Sequence, residues 1–148
     1  MIGAHSRGFT LIELLVVLLI IGAFLALAPA AFHRLMPGLE LKASAREVAA
    51  AFREARSLAI RDNREMAVVI DTDAGAYRVG TRDRTHVLDE ALRVSLVTAA
   101  SERIDDRAGR IRFFPDGTST GGRVTLSRDD RAYHVLVDWL SGRVDIVD

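Results

Sequence analysis

One carboxylate, Glu13, lies inside an otherwise apolar stretch near the beginning of this 148-residue chain. Between Phe9 and Phe32 only four residues are not apolar, namely Thr10, Glu13, Gly22 and Pro29. A carboxylate at the centre of a lipid bilayer costs about 2.5–3.5 kcal/mol on insertion scales, and such residues usually have a function. A cationic amine from a second chain at the same depth would offset that cost. We therefore interpret Glu13 as a residue that favours assembly between chains.

No other group of residues has the spacing of an active site or a metal site. The histidines are scattered, at His5, His33, His86 and His134, without the spacing of zinc ligands. Residues 71–75, Asp-Thr-Asp-Ala-Gly, lack the closing glutamate of a calcium loop. Ser119 and Ser127 would each need a histidine base, which the sequence does not place. The sequence therefore predicts no catalytic residue, no cofactor, no metal and no enzyme activity.

Charge and cysteine content exclude further classes of protein. The chain has 20 Lys and Arg, 20 Asp and Glu, and no cysteine, which excludes a disulfide scaffold, an iron–sulfur cluster and a thiolate zinc site. Balanced charge argues against a nucleic-acid partner, and we expect no small-molecule substrate. A local basic cluster consists of Arg103, Arg107, Arg110 and Arg112. Because Asp105 and Asp106 lie within it, a solvated surface of mixed charge is expected.

The apolar stretch has more than one interpretation. Residues 14–32 form a run of 19 residues without a charge, close to the roughly 20 helical residues that span a bilayer. One interpretation is a secretory signal peptide, cleaved at the small residues around Ala28 and Ala30. Another is a plain membrane anchor. Neither interpretation explains why a carboxylate is present at Glu13.

The rest of the chain has the pattern of an α+β domain. Pro29, and then residues 36–38, are expected to interrupt the helical run. An amphipathic helix is predicted over about 39–63, because apolar residues recur at spacings of three and four, at Leu41, Ala45, Val48, Phe52, Ala55 and Ala59. Strands are predicted at 66–70, 76–80, 92–98, 110–114, 123–127, 132–139 and 143–147. The helix should pack on one antiparallel β-sheet of roughly six to eight strands.

Two strings resemble a known family. Gly8-Phe9-Thr10-Leu11-Ile12-Glu13, followed by the apolar run, resembles the class III signal of type IV pilins and type II secretion pseudopilins. Residues 111–126, IRFFPDGTSTGGRVTL, together with Gly142-Arg143-Val144, resemble the C-terminal region of the H-type minor pseudopilins, the general secretion pathway protein H (GspH) family.

This resemblance implies an architecture and a set of processing residues. The fold would be type IV pilin-like, with a long N-terminal helix whose hydrophobic half is embedded in the membrane and whose amphipathic half packs on the sheet. A prepilin peptidase would cut between Gly8 and Phe9 and methylate the new amino terminus, and Glu13 would meet the amine of a neighbouring subunit's Phe9. The expected parts are a cleaved leader (1–8), a transmembrane and assembly helix (9–32) and a periplasmic domain (33–148).

The function implied is that of a structural minor pseudopilin, part of the periplasmic pseudopilus that drives export of folded proteins across the outer membrane. Implied partners are other minor pseudopilins, the major pseudopilin and the prepilin peptidase. The chain would cross the bacterial inner membrane once, with its N-terminus in the cytoplasm and its C-terminal domain in the periplasm. Two alternatives stay open: a minor pilin of the type IV pilus, similar to FimT or FimU and acting in pilus assembly or DNA uptake, and a soluble binding domain released by ordinary signal peptidase.

Overall fold

The structure, a computed structural model, describes residues 10–34, 37–81 and 84–148, with no side chains described between 24 and 38. The predicted leader, including Gly8, and the predicted new terminus Phe9 lie outside the described residues. The chain divides into two compact units, Met1–Pro37 and Gly38–Asp148.

The first unit consists of one described helix, α1 (Leu11–Arg34). The expectation that Pro29 interrupts it is wrong, because the helix continues for five residues beyond the proline. A proline removes one backbone donor, but the alanines and leucines around it are strong helix formers that sustain the helix on both sides. Among the described residues, no helix combines the length and the apolarity needed to cross a membrane.

A second helix, α2 (Pro37–Arg61), begins and ends close to the predicted 39–63. Its proline occupies the first helical position, where the missing amide hydrogen costs nothing. At the other end Asn63 adopts a positive φ, and the Arg64 amide donates to the carbonyl of Ala59 at 3.2 Å. This is the Schellman arrangement that ends a helix. All six apolar residues of the predicted stripe are buried, which confirms the amphipathic helix.

In the described part of the chain eight strands follow α2, and they form two antiparallel sheets, so the prediction of a single sheet is wrong. The first sheet has the order β3-β2-β1-β5, from β1 (Met66–Asp71), β2 (Ala76–Val79), β3 (Thr85–Val87) and β5 (Ala108–Phe113). The second has the order β4-β6-β7-β8, from β4 (Arg93–Thr98), β6 (Gly122–Arg128), β7 (Arg131–Val137) and β8 (Val144–Val147). The alternating patterns of the strands do not determine which strands pair. β4 pairs with β6, whereas β5, which follows a short 3-10 helix (Ala100–Glu102), pairs with β1. The three-residue strand β3 was not predicted.

The core of the second unit lies between α2 and the inward faces of both sheets. Phe52 of α2 and Phe113 of β5 are fully buried, with ring centroids 6.2 Å apart. Polar contacts also connect the helix to each sheet. Glu47 accepts a hydrogen bond from the Tyr77 hydroxyl in the first sheet, and Arg53 donates to the Val144 carbonyl in the second. These contacts hold α2 against one strand of each sheet.

Candidate assembly site

Glu13 lies in the first turn of α1, three residues after Thr10, which precedes the helix. Its amide donates to the side-chain oxygen of Thr10 at 3.3 Å and to the Thr10 carbonyl at 3.1 Å. Threonine at the cap with glutamate three residues later is the capping-box pattern. A carboxylate here is also favoured by the positive end of the helix dipole. The sequence Thr-x-x-Glu could have revealed this role of Thr10, which was not predicted.

The helix that begins at Thr10 exposes an apolar surface. From Leu11 to Ile21 every large apolar side chain is between 42% and 81% exposed in the single chain. A helix that is apolar on all sides is normally covered by lipid or by other helices. The two predicted processing residues, Gly8 and Phe9, lie outside the described residues, so the predicted assembly residue Glu13 is the site residue whose position can be stated.

The second unit carries two adjoining loops at residues 114–121 and 138–143. A turn follows β5, in which the Gly117 amide donates to the Phe114 carbonyl at 2.9 Å. Asp116 accepts hydrogen bonds from the hydroxyl and the amide of Thr118, and these bonds lower the pKa of the carboxyl. The Ser119 amide donates to the Trp139 carbonyl at 2.9 Å and so joins the two loops.

Arg56 of α2 fixes these loops to the helix. Its Nε donates to the Gly117 carbonyl at 3.1 Å. Gly142 packs against the same carbonyl and against Arg56, so that a Cβ at Gly142 would overlap the carbonyl oxygen. Gly142 also has φ of +62°, a conformation that suits glycine. Arg56 is therefore half-buried in a structural contact.

The hairpin between β7 and β8 ends in an exposed aromatic side chain. The predicted strand 132–139 is too long, because β7 ends at Val137 and Asp138 begins a turn. Trp139 and Leu140 are exposed by 66% and 64%. We define these two residues as the Trp139 tip. Strand alternation gave no signal for it, since alternation does not show where a strand ends.

The basic cluster near residue 103 is neutralised by acidic side chains, as the mixed-charge interpretation predicted. Arg103 pairs with Asp106, and Arg107 pairs with Asp73. The buried Glu102 accepts a hydrogen bond from Arg110 Nε at 2.7 Å, and Arg112 pairs with both Glu102 and Glu65. The importance of Glu102 was not predicted, because its burial depends on the packing of β5.

The histidines and the acidic turn do not form a metal site in the described part of the chain. No group of three or more metal-ligating side chains occurs there. His86 stacks on Tyr77, with ring centroids 4.9 Å apart, and His134 hydrogen-bonds Thr125. The first carboxylate of the 71–75 turn, Asp71, accepts hydrogen bonds from the amides of the two residues at 73 and 74. That carboxylate therefore shapes its own turn.

Comparison with known proteins finds a family match for the folded domain and a motif match for the N-terminal segment. The family described as "Type II transport protein GspH" matches residues 44–142, and the prokaryotic N-terminal methylation motif matches residues 3–29. A type II secretion system protein H from Xanthomonas campestris is 32% identical over 138 residues, which are 93% of this chain and 81% of that protein.

Two solved structures share the fold. The minor pseudopilin EpsH from the type 2 secretion system of Vibrio cholerae matches with a TM-score of 0.58 and 16% identity, over 73% of this chain and 96% of that one. The type IV minor pilin FimU of Pseudomonas aeruginosa matches with a TM-score of 0.57 and 16% identity, over 74% and 89% of the two chains.

Proposed function

The chain belongs to the GspH family and is a minor pseudopilin of a type II secretion system; from this premise we propose how its two units perform that role. Pseudopilins of this family are structural subunits of the periplasmic pseudopilus, which drives the export of folded proteins across the outer membrane. They are anchored in the inner membrane and assemble with other pseudopilins. The chain is therefore a filament subunit.

We propose that the N-terminal segment is processed and then buried in the assembly. The prepilin peptidase removes residues 1–8 by cutting after Gly8, and Phe9 becomes the methylated amino terminus. The match of residues 3–29 to the N-terminal methylation motif supports this. Residues 9–32 then pass through the inner membrane, with the domain 33–148 in the periplasm. The observation that carries this proposal is the uncovered apolar surface of α1, which begins beside Glu13 in the first turn of the helix.

Glu13 is proposed to pair with the free amine of a neighbouring subunit's Phe9. That neighbour is either the major pseudopilin or another minor pseudopilin. In a medium with few alternative partners, a carboxylate favours the arrangement that supplies a cation. The capping contact with Thr10 orients the turn from which the carboxylate projects. Charge pairing would thus set the register between neighbouring helices.

The test uses the full chain in a strain that lacks the native copy. Glu13→Ala should insert and be cleaved normally but fail to enter the filament, with secretion lost. Glu13→Gln removes the charge and keeps a good capping residue, so it should fail in the same way. Thr10→Ala weakens the cap and keeps the charge, so it should still assemble. Normal incorporation of Glu13→Gln would contradict the proposed pairing, and a greater loss with Thr10→Ala would assign the effect to capping.

The processing step has a separate test. Mass spectrometry of the chain recovered from membranes should show an amino terminus at Phe9 that carries one methyl group. A mature chain that begins near Ala31 would contradict the proposal and favour ordinary signal peptidase.

A type IV pilus minor pilin is the second candidate, because FimU shares the fold to nearly the same extent as EpsH. The family match and the 32% identical relative favour secretion. The pairing of Arg110 and Arg112 with Glu102 also gives little support for a DNA-binding surface. Binding of the chain to DNA at physiological salt, with a steep decrease as salt rises, would favour the pilus instead.

A further inference from the structure

We draw no further inference here: the strongest candidate, the exposed Trp139 tip between β7 and β8 with the groove of about 560 Å³ beside it, is bordered by both acidic and basic side chains, and nothing in the structure shows what covers it.

Discussion

The phenol of Tyr77 connects the first sheet to α2, and its ionisation makes the free energy of unfolding depend on pH in the alkaline range. Its hydroxyl donates to Glu47 Oε1 at 2.8 Å, and burial, followed by this hydrogen bond, raises its pKa. A group whose pKa is raised in the folded state stabilises the fold below its unfolded pKa, about 10 for tyrosine, and loses that contribution as the pH rises further.

We therefore predict that the free energy of unfolding falls as the pH rises above about 10, and that Tyr77→Phe makes this fall shallower. At pH 7 the variant should lose about 1 kcal/mol with the hydrogen bond. Urea unfolding of the full chain in detergent between pH 8 and 11.5 measures both. Tyr133→Phe, at the chain's other tyrosine, is the control. An equal change in slope for both variants would contradict the assignment to Tyr77.

Glu102 is the buried acid on which two arginines depend. It is 5% exposed and pairs with Arg110 and Arg112. Glu102→Gln keeps the size of the side chain but removes the charge, so we expect a loss of about 1.5–3 kcal/mol, the range for a hydrogen bond to a charged group. Glu90→Gln, the same change at an exposed turn position, should stay within about 0.5 kcal/mol of wild type. Equal urea midpoints for the two variants would show that the charge of Glu102 contributes nothing to stability.

Among the structural elements, the contact between the 114–121 and 138–143 loops depends on glycine. Gly142 and Gly75 have nearly the same φ, +62° and +57°. A Cβ at Gly75 meets nothing within 4 Å, whereas one at Gly142 overlaps the Gly117 carbonyl. Gly75→Ala should therefore cost about 1–2 kcal/mol for the left-handed conformation. Gly142→Ala should cost about 1–3 kcal/mol more because of crowding. Equal losses of stability for Gly75→Ala and Gly142→Ala, measured by thermal unfolding, would show that the loops do not pack tightly.

Elements with a local signal could be predicted from the sequence, and those that depend on distant contacts could not. The buried stripe of α2, from Leu41 to Ala59, repeats with the helical period, so it was predictable. The division into two sheets was not, because pairing between β1 and β5 joins strands about 40 residues apart and depends on packing around Phe52. Strand β3 is too short to show an alternating pattern.

The functional residues show the same difference between local signals and distant contacts. Glu13 could be identified because a single carboxylate in an apolar run contradicts its surroundings. The Trp139 tip could not be identified, because the alternating pattern of the predicted strand continues through residue 139. A residue in an exposed turn then has the same pattern as a strand residue. Whether that tryptophan is buried depends on where β7 ends, and the side chain of Asp138 determines this by capping its own turn.

For the whole molecule, the neutral composition is an average over two different units. Residues 33–148 carry 38 of the 40 charged side chains, while residues 9–32 carry one, Glu13. Among the residues whose side chains the structure describes, every buried apolar residue of the core lies at or after Leu41. Residues 9–32 thus contribute an apolar surface with one charge, and the second unit contributes a folded domain with its own core.

This division predicts that the fragment Gly38–Asp148 folds alone but cannot act in secretion. Its core is complete, so it should unfold cooperatively in urea with a midpoint close to that of the full chain in detergent. Without α1 and Glu13 it has no means of entering the filament, so a fragment exported to the periplasm should not restore secretion. An aggregated fragment would show that the core needs the first unit. A fragment that restores secretion would show that assembly depends on the second unit alone, and the role given to Glu13 would then be wrong.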